Sequence, residues 1–182
     1  MGLTYIASAT ASSSATLSFT SGIDSTYNEY QFHFANMHPA TNEVNFQFQV
    51  NASDDTGGGF DTSVITSTAF TAYHDEADSS TTLGYQTGHD QAQAAGYQNI
   101  LSFETGNDND QSVSGVLTLY APSSTTYVKH FTAVGNGAYA GDYTIQLFSA
   151  GYINQTLAIP EISFKFSSGN IDAGTIHMYG VG

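Results

Sequence analysis

The chain is 182 residues long, 40% hydrophobic and 13% aromatic, and carries 16 acidic residues against two lysines, for a net charge of −14. That balance excludes recognition of nucleic acid, which needs Lys and Arg to displace phosphate counterions, and it repels an anionic membrane surface equally. With no cysteine, disulfides and thiolate metal sites are excluded as well, while 12 Tyr and 12 Phe give this Ser/Thr/Gly-rich chain enough apolar material to fold rather than stay disordered.

The length fits one domain over residues 1–182. Residues Met1–Ser8 show no basic or continuously apolar stretch, so no signal peptide is expected, and no run approaches the ~20 apolar residues of a membrane span. Strand signals begin at Leu3–Thr10 and Ala15–Phe19. Tyr30–Phe34 alternates, with Tyr30, Phe32 and Phe34 facing inward. The clearest strand is Val44–Asn51, with Val44, Phe46, Phe48 and Val50 on one side and Asn45, Gln47, Gln49 and Asn51 on the other. A loop follows over Asn51–Asp61, with Gly57–Gly59 inside it, and then a strand near Val64–Tyr73. The long segment Asp75–Gly96 reads as loop, with one short helical turn expected around Asp90–Ala95.

Further strands fall at Tyr97–Phe103, Val113–Tyr120 and Tyr127–Val134, the last two separated by a break at Pro122–Ser124. Gly135-Asn136-Gly137 carries the Asn-Gly pair favoured in hairpins and predicts a turn before the strand Tyr143–Leu147. Pro160 precedes Ile162–Phe166, at a position where a missing N–H is tolerated. Gly169-Asn170 and Gly174 supply the positive φ of a tight turn, and Thr175–Tyr179 closes the chain as a strand with Ile176 and Met178 on one face and His177 and Tyr179 on the other. A strand in that position is expected to be locked into a sheet. About ten strands with turn clusters between them predict an all-β fold, an antiparallel two-sheet sandwich of jelly-roll type.

Motifs for chemistry are sparse. His74-Asp-Glu-Ala-Asp78 has the letters of a helicase box, but the chain lacks the Gly-rich phosphate loop that such chemistry needs, which leaves a solvated acidic loop. Asp54, Asp55 and Asp61, and separately Asp108 and Asp110, could offer oxygen ligands to calcium, although neither segment has the twelve-residue loop spacing and ordinary turn chemistry accounts for both. His33, His38, His74, His89, His130 and His177 show no metal-ligand spacing, and no Gly-x-Ser-x-Gly elbow exists. No catalytic, cofactor-binding or metal-ligating residue is therefore assigned, and no cofactor is expected. Tyr27, Tyr73, Tyr85, Tyr97, Tyr139 and Tyr152 lie near predicted loops and could form a glycan-binding face. With only 10% charged residues, the surface must consist of Ser, Thr, Asn, Gln and Gly, a composition suited to docking because Lys and Glu are depleted; Gln47 and Gln49 are candidates for such a face.

Both ends of the sequence carry a resemblance. Leu3-Thr-Tyr-Ile-Ala-Ser8, Leu17-Ser-Phe-Thr-Ser-Gly-Ile23 and Tyr27-Asn-Glu-Tyr-Gln-Phe-His-Phe34, together with Ile162–Gly180, resemble small virion proteins of tailed phages, especially phages of aquatic bacteria. That family ends in a Thr-Ile-x-Leu-Tyr-Gly strand; here Met178 replaces the leucine and His177 stands where a basic residue is frequent. The segment from Ala52 to Asn109 has no counterpart. The resemblance implies a non-enzymatic structural component of the virion, a capsid decoration protein bound to the major capsid or another virion protein. The alternative it allows is a tail-fibre or spike domain that binds host-surface glycan. Assembly as a homo-oligomer is expected, with a symmetric trimer among the fitting arrangements.

Overall fold

Alternating apolar and polar side chains leave each strand with one apolar face to bury, and where every element is a strand a second sheet must cover it; this chain does so in the expected way. The computed structural model describes residues 2–53, 59–60 and 63–182, and every regular element in it is a strand. In chain order these are β1 (Leu3–Thr10), β2 (Leu17–Phe19), β3 (Glu29–Pro39), β4 (Val44–Asn51), β5 (Ile65–Asp75), β6 (Thr81–Tyr85), β7 (Ala92–Ala94), β8 (Gln98–Thr105), β9 (Val113–Tyr120), β10 (Lys129–Tyr139), β11 (Tyr143–Ile153), β12 (Glu161–Phe166) and β13 (Ile171–Val181).

The broad sheet runs β1-β13-β3-β9-β10-β11-β5, with β6 and β7 sharing the far edge of β5, and the narrow sheet runs β8-β4-β12-β2. All pairs are antiparallel, and the two sheets join at one corner through Tyr139 of β10 opposite Thr105 of β8. Eight strands form the frame: β1-β13-β3-β9 against β2-β12-β4-β8. Every consecutive pair of frame strands lies in opposite sheets except β4 and β8, which are neighbours in the narrow sheet, and this is jelly-roll order. Strands β5–β7 and β10–β11 are additions that widen the broad sheet.

Phenylalanines bridge the two layers. Ring centroids lie 5.5 Å apart for Phe19 and Phe32, 5.6 Å for Phe32 and Phe164, 5.3 Å for Phe34 and Phe46, and 5.0 Å for Phe48 and Phe131. These pairs are tilted or edge-on, the geometry that aromatic quadrupoles favour, and full burial of each ring contributes roughly 1.5–3 kcal/mol. The closing strand β13 lies between β1 and β3, with Ile176 and Met178 fully buried. Gly169 (φ +71°) and Gly174 (φ +117°) take the positive φ the sequence predicts. Only Gly169 lies in the turn, however: β13 begins at Ile171, and Gly174 sits inside it at a register shift against β3.

Three expectations are corrected. The strands number thirteen among the described residues rather than about ten, because β6 and β7 arise inside the segment read as loop. No helical turn forms at Asp90–Ala95; β7 occupies it, pairing Ala92 and Ala94 with Thr66 and Ile65, because the edge of β5 supplies backbone partners that one isolated helical turn cannot. Gly135-Asn136-Gly137 makes no turn, since it lies in the interior of β10, and the hairpin falls instead at Tyr139–Tyr143. The glycines are needed for close approach at the corner: a Cβ on Gly135 would stand 2.6 Å from the Ile100 carbonyl oxygen, and one on Gly137 2.4 Å from Leu101 Cδ2.

A second, polar interior lies behind the narrow sheet. Gln49 points away from the phenylalanine core yet is fully buried; its Nε2 donates to the carbonyls of Ser63, Ala95 and Gly96 at 3.2, 3.1 and 2.9 Å, and its Oε1 accepts from Val50 N at 2.8 Å. Gln47 Nε2 donates to Asn99 Oδ1 at 2.8 Å, and Asn99 Nδ2 in turn meets His89 Nδ1 at 2.7 Å. Gln49 is thus an internal fastener for the covering segment rather than part of a docking face, while Gln47, half-buried, is engaged across the ladder by Asn99 of β8. The segment between β7 and β8 folds over Gln49, where Tyr97 also lies 4.4 Å beneath Lys165 Nζ.

This network sets a pH dependence. Asn99 donates to His89 Nδ1, so the imidazole must be neutral there, and burial holds its pKa below the ordinary 6.5 while Asp90 acts weakly against that. His33 is lowered too, first by burial and then by His177 opposite it. As pH falls through 6.5 the unfolded chain takes up these protons before the folded one, so stability is full above that value and declines below it. The melting temperature should fall between pH 7.5 and 5.5 (~1 unit on either side of that pKa), and His89→Gln should flatten the slope; an unchanged slope in the variant would remove His89 as a cause.

Candidate functional site

The outward face of the broad sheet is the largest feature that the frame presents. Register across eight strands lines up Ser8, His177, His33, Val116, Val134, Phe148, Phe70 and Tyr85 in one transverse row. On one side runs a row from Tyr5 and Tyr179 through Gln31, Thr118 and Thr132 to Ala150 and Thr68; on the other, Ser114, Asn136, Gln146, Ala72 and Leu83. None of the three rows contains a carboxylate or a lysine, although the chain has 16 acidic residues. Acids flank the rows: Glu29 accepts from Gln31 Nε2 at 2.9 Å, Asp90 from the Tyr85 hydroxyl at 2.6 Å, and Asp78 pairs with His74 at 3.2 Å.

Aromatic side chains concentrate at the two ends of the middle row. Phe70 and Phe148 stack with centroids 4.8 Å apart and planes 11° from parallel, and Phe70, Tyr85 and Leu83 are 42%, 55% and 73% exposed. At the β1 end, His33 packs edge-on to Tyr179 at 5.0 Å, and Tyr5 reaches Tyr179 at 6.0 Å and His177 at 6.3 Å. His33 and His177 therefore face outward as the alternation predicts, directly opposite one another across β3 and β13. The Phe70–Phe148 pair was the residue set that sequence reasoning missed. Its signal was phase: Phe148 continues the series Thr144 and Gln146, not that of Ile145 and Leu147.

At one end of the sandwich, a groove of about 400 Å³ is lined by His74, Glu76, Asp110, Ser112, Asn136 and Tyr143 among others. Tyr143 also joins Tyr73 and Tyr139 in an aromatic cluster, at centroid distances of 5.5 and 5.6 Å. Asp75 in the same region is committed to the β5–β6 turn: Oδ1 accepts from Ser79 N and Ser80 N at 2.8 and 2.9 Å, and Oδ2 from the Ser79 hydroxyl. Those hydrogen bonds hold its carboxyl below the ordinary range.

The remaining candidates separate. Asp54, Asp55 and Asp61 lie outside the described residues. Asp108 and Asp110 are exposed on the β8–β9 connection, where Asp108 N and O bond back to Gln111. Among the described residues no group of three or more His, Asp or Glu converges as a metal cluster would. Of the six tyrosines read as a glycan face, only Tyr73 and Tyr139 meet. Tyr27 packs on Tyr30, Tyr97 under Lys165, Tyr85 against Asp90 and Tyr152 beside His130. Lys129 is fully buried with Nζ donating to Gln155 O at 3.1 Å, and burial lowers its pKa. Comparison of the chain with protein-family models, with curated proteins and with solved structures finds no match.

Proposed function

We propose that this protein is a non-enzymatic structural component of a phage particle, a decoration protein that binds the head shell through its sheet surface. The observation that carries this reading is the distribution of charge: a −14 chain keeps three full rows of its broadest face free of carboxylates. Such a face can meet a protein shell without desolvating an unpaired charge, the costly step in docking. The resemblance at the two ends of the chain supports the same reading, since its segments become β1, β2, β3, β12 and β13 of the jelly-roll frame. The unmatched middle supplies chiefly β5–β8, mostly additions to that frame. Double-sheet jelly rolls recur in capsid and lectin domains, an analogy of fold alone.

The protein should copurify with particles, in a copy number set by capsid symmetry. Recovery from infected-cell lysate only, with none on purified particles, would defeat the proposal. A second reading, a tail-fibre or spike domain that binds host-surface glycan, draws on the Tyr73, Tyr139 and Tyr143 cluster beside the end groove. It expects few copies per particle and binding to specific sugars on a glycan array.

A further inference from the structure

We infer that two copies of this chain pair face to face across a two-fold axis, through the part of the broad sheet formed by β9, β10, β11, β5 and β6, with the Phe70–Phe148 stack at the centre. The inference rests on the docking reading of the broad sheet and assigns this part of it to a second copy of the chain, which leaves the β1, β13 and β3 part to meet the head shell.

Three observations point to this occupant. Phe70, Tyr85 and Leu83 are large apolar side chains standing 42%, 55% and 73% exposed on adjoining strands, and a contiguous patch of this kind marks an interaction site. Around the patch most groups are hydroxyls and primary amides, from Thr68, Thr132, Thr144, Asn136 and Gln146, with one carboxylate, Asp90, held at its edge by the Tyr85 hydroxyl. Hydroxyls and amides both donate and accept, so a surface made of them complements its own image across a two-fold; carboxylates only accept and ammonium groups only donate, and neither can do this. Lastly, copies bearing −14 each repel unless they meet where charge is absent, and these rows satisfy that. A cationic partner would be drawn to the acidic groove at the sandwich end rather than here.

The size of the face sets the expected strength. Five strands spaced ~4.8 Å apart and about seven residues long at ~3.4 Å each cover roughly 600 Å². Two such faces bury about 1,200 Å², at the low end of specific interfaces, where weak and transient pairs lie. Salt should tighten the dimer, because screening weakens repulsion between the acidic bodies while leaving the apolar contact in place.

Sedimentation equilibrium on the isolated full chain, from about 1 µM to a few hundred µM, tests this. The 19.3 kDa chain should approach twice its mass at the upper end, and do so at lower concentration in high salt. Phe70→Asp and Leu83→Asp should each weaken association by ~10-fold or more while circular dichroism and melting temperature stay near those of the parent. Tyr127→Asp, equally exposed but on the β9–β10 connection, should leave it unchanged. If Phe70→Asp loses its fold, Leu83→Asp decides alone, as that side chain already stands largely in water. A monomer throughout, a threefold mass, or undiminished pairing in a folded Leu83→Asp protein would overturn the inference. Failure of the virion proposal is separate: a dimer absent from particles defeats that reading only, and a particle-bound protein that stays monomeric defeats this one only.

Discussion

Phe164→Ala is expected to cost about 3–5 kcal/mol of unfolding free energy, the largest loss any single truncation should cause here. The ring lies on β12 in the middle of the inter-layer aromatic cluster, with Phe32 at 5.6 Å, Phe46 at 6.1 Å and Phe19 at 6.5 Å. Its burial is complete, and its neighbours come from both sheets, so neither sheet can close the cavity without moving the other. Rigid surroundings of this kind leave most of the void in place, which is why the cavity adds to the lost transfer energy. Denaturant titration should show a lower midpoint with an unchanged slope. Phe148→Ala, on the outward face, provides the contrast and should fall well under half of that loss in the isolated monomer. Comparable losses for the two would mean that the layers are not held together by this cluster.

Gly135→Ala should destabilise by about 1–3 kcal/mol or more through overpacking, although alanine is ordinarily preferred to glycine in a strand interior. The added methyl would stand 2.6 Å from the Ile100 carbonyl oxygen and 3.4 Å from the Ile100 Cγ2. Because the first of these is backbone, relief requires β8 to shift away from β10, near the single pairing of Tyr139 with Thr105 that joins the sheets. Gly84→Ala on β6 is the control: nothing lies within 4 Å of its added methyl, and it should be neutral or stabilising by up to ~1 kcal/mol. Equal melting temperatures for Gly135→Ala and the parent would show that the corner has slack and that close approach does not explain these glycines.

The same glycines show where local reading stops. An Asn-Gly pair is a turn signal because both residues tolerate positive φ, yet neither Gly135 nor Gly137 takes positive φ. What they provide is the absence of a side chain against β8, a requirement visible only once two sheets are brought together. The helical turn expected at Asp90–Ala95 failed for a related reason. Alanine and glutamine suit a helix in isolation, but the exposed edge of β5 offers those residues a ladder, and tertiary pairing outweighs a weak local preference.

Gln47 and Gln49 are the most instructive pair for function. Their phase along β4 is as the alternation requires, opposite to Phe46 and Phe48. The sequence does not reveal that a segment nearly fifty residues away folds over Gln49, with Gly96 accepting from it. Outward is a property of phase; exposed is a property of what else arrives. The converse holds for Phe70 and Phe148, which occupy the polar phase of their strands and remain at the surface because no further layer covers β5 and β11.

Composition and period-two patterning alone determined that this chain is all-β, which residues form its phenylalanine core, and that Gly169 and Gly174 take positive φ. These follow from side-chain alternation and backbone sterics, which act within a few residues. Only the tertiary structure decided the jelly-roll strand order, the uncharged outer face and the internal use of Gln49. Those depend on pairings such as β1 with β13, between opposite ends of the chain, where the free energy of a contact is set by which distant strand fills the neighbouring place.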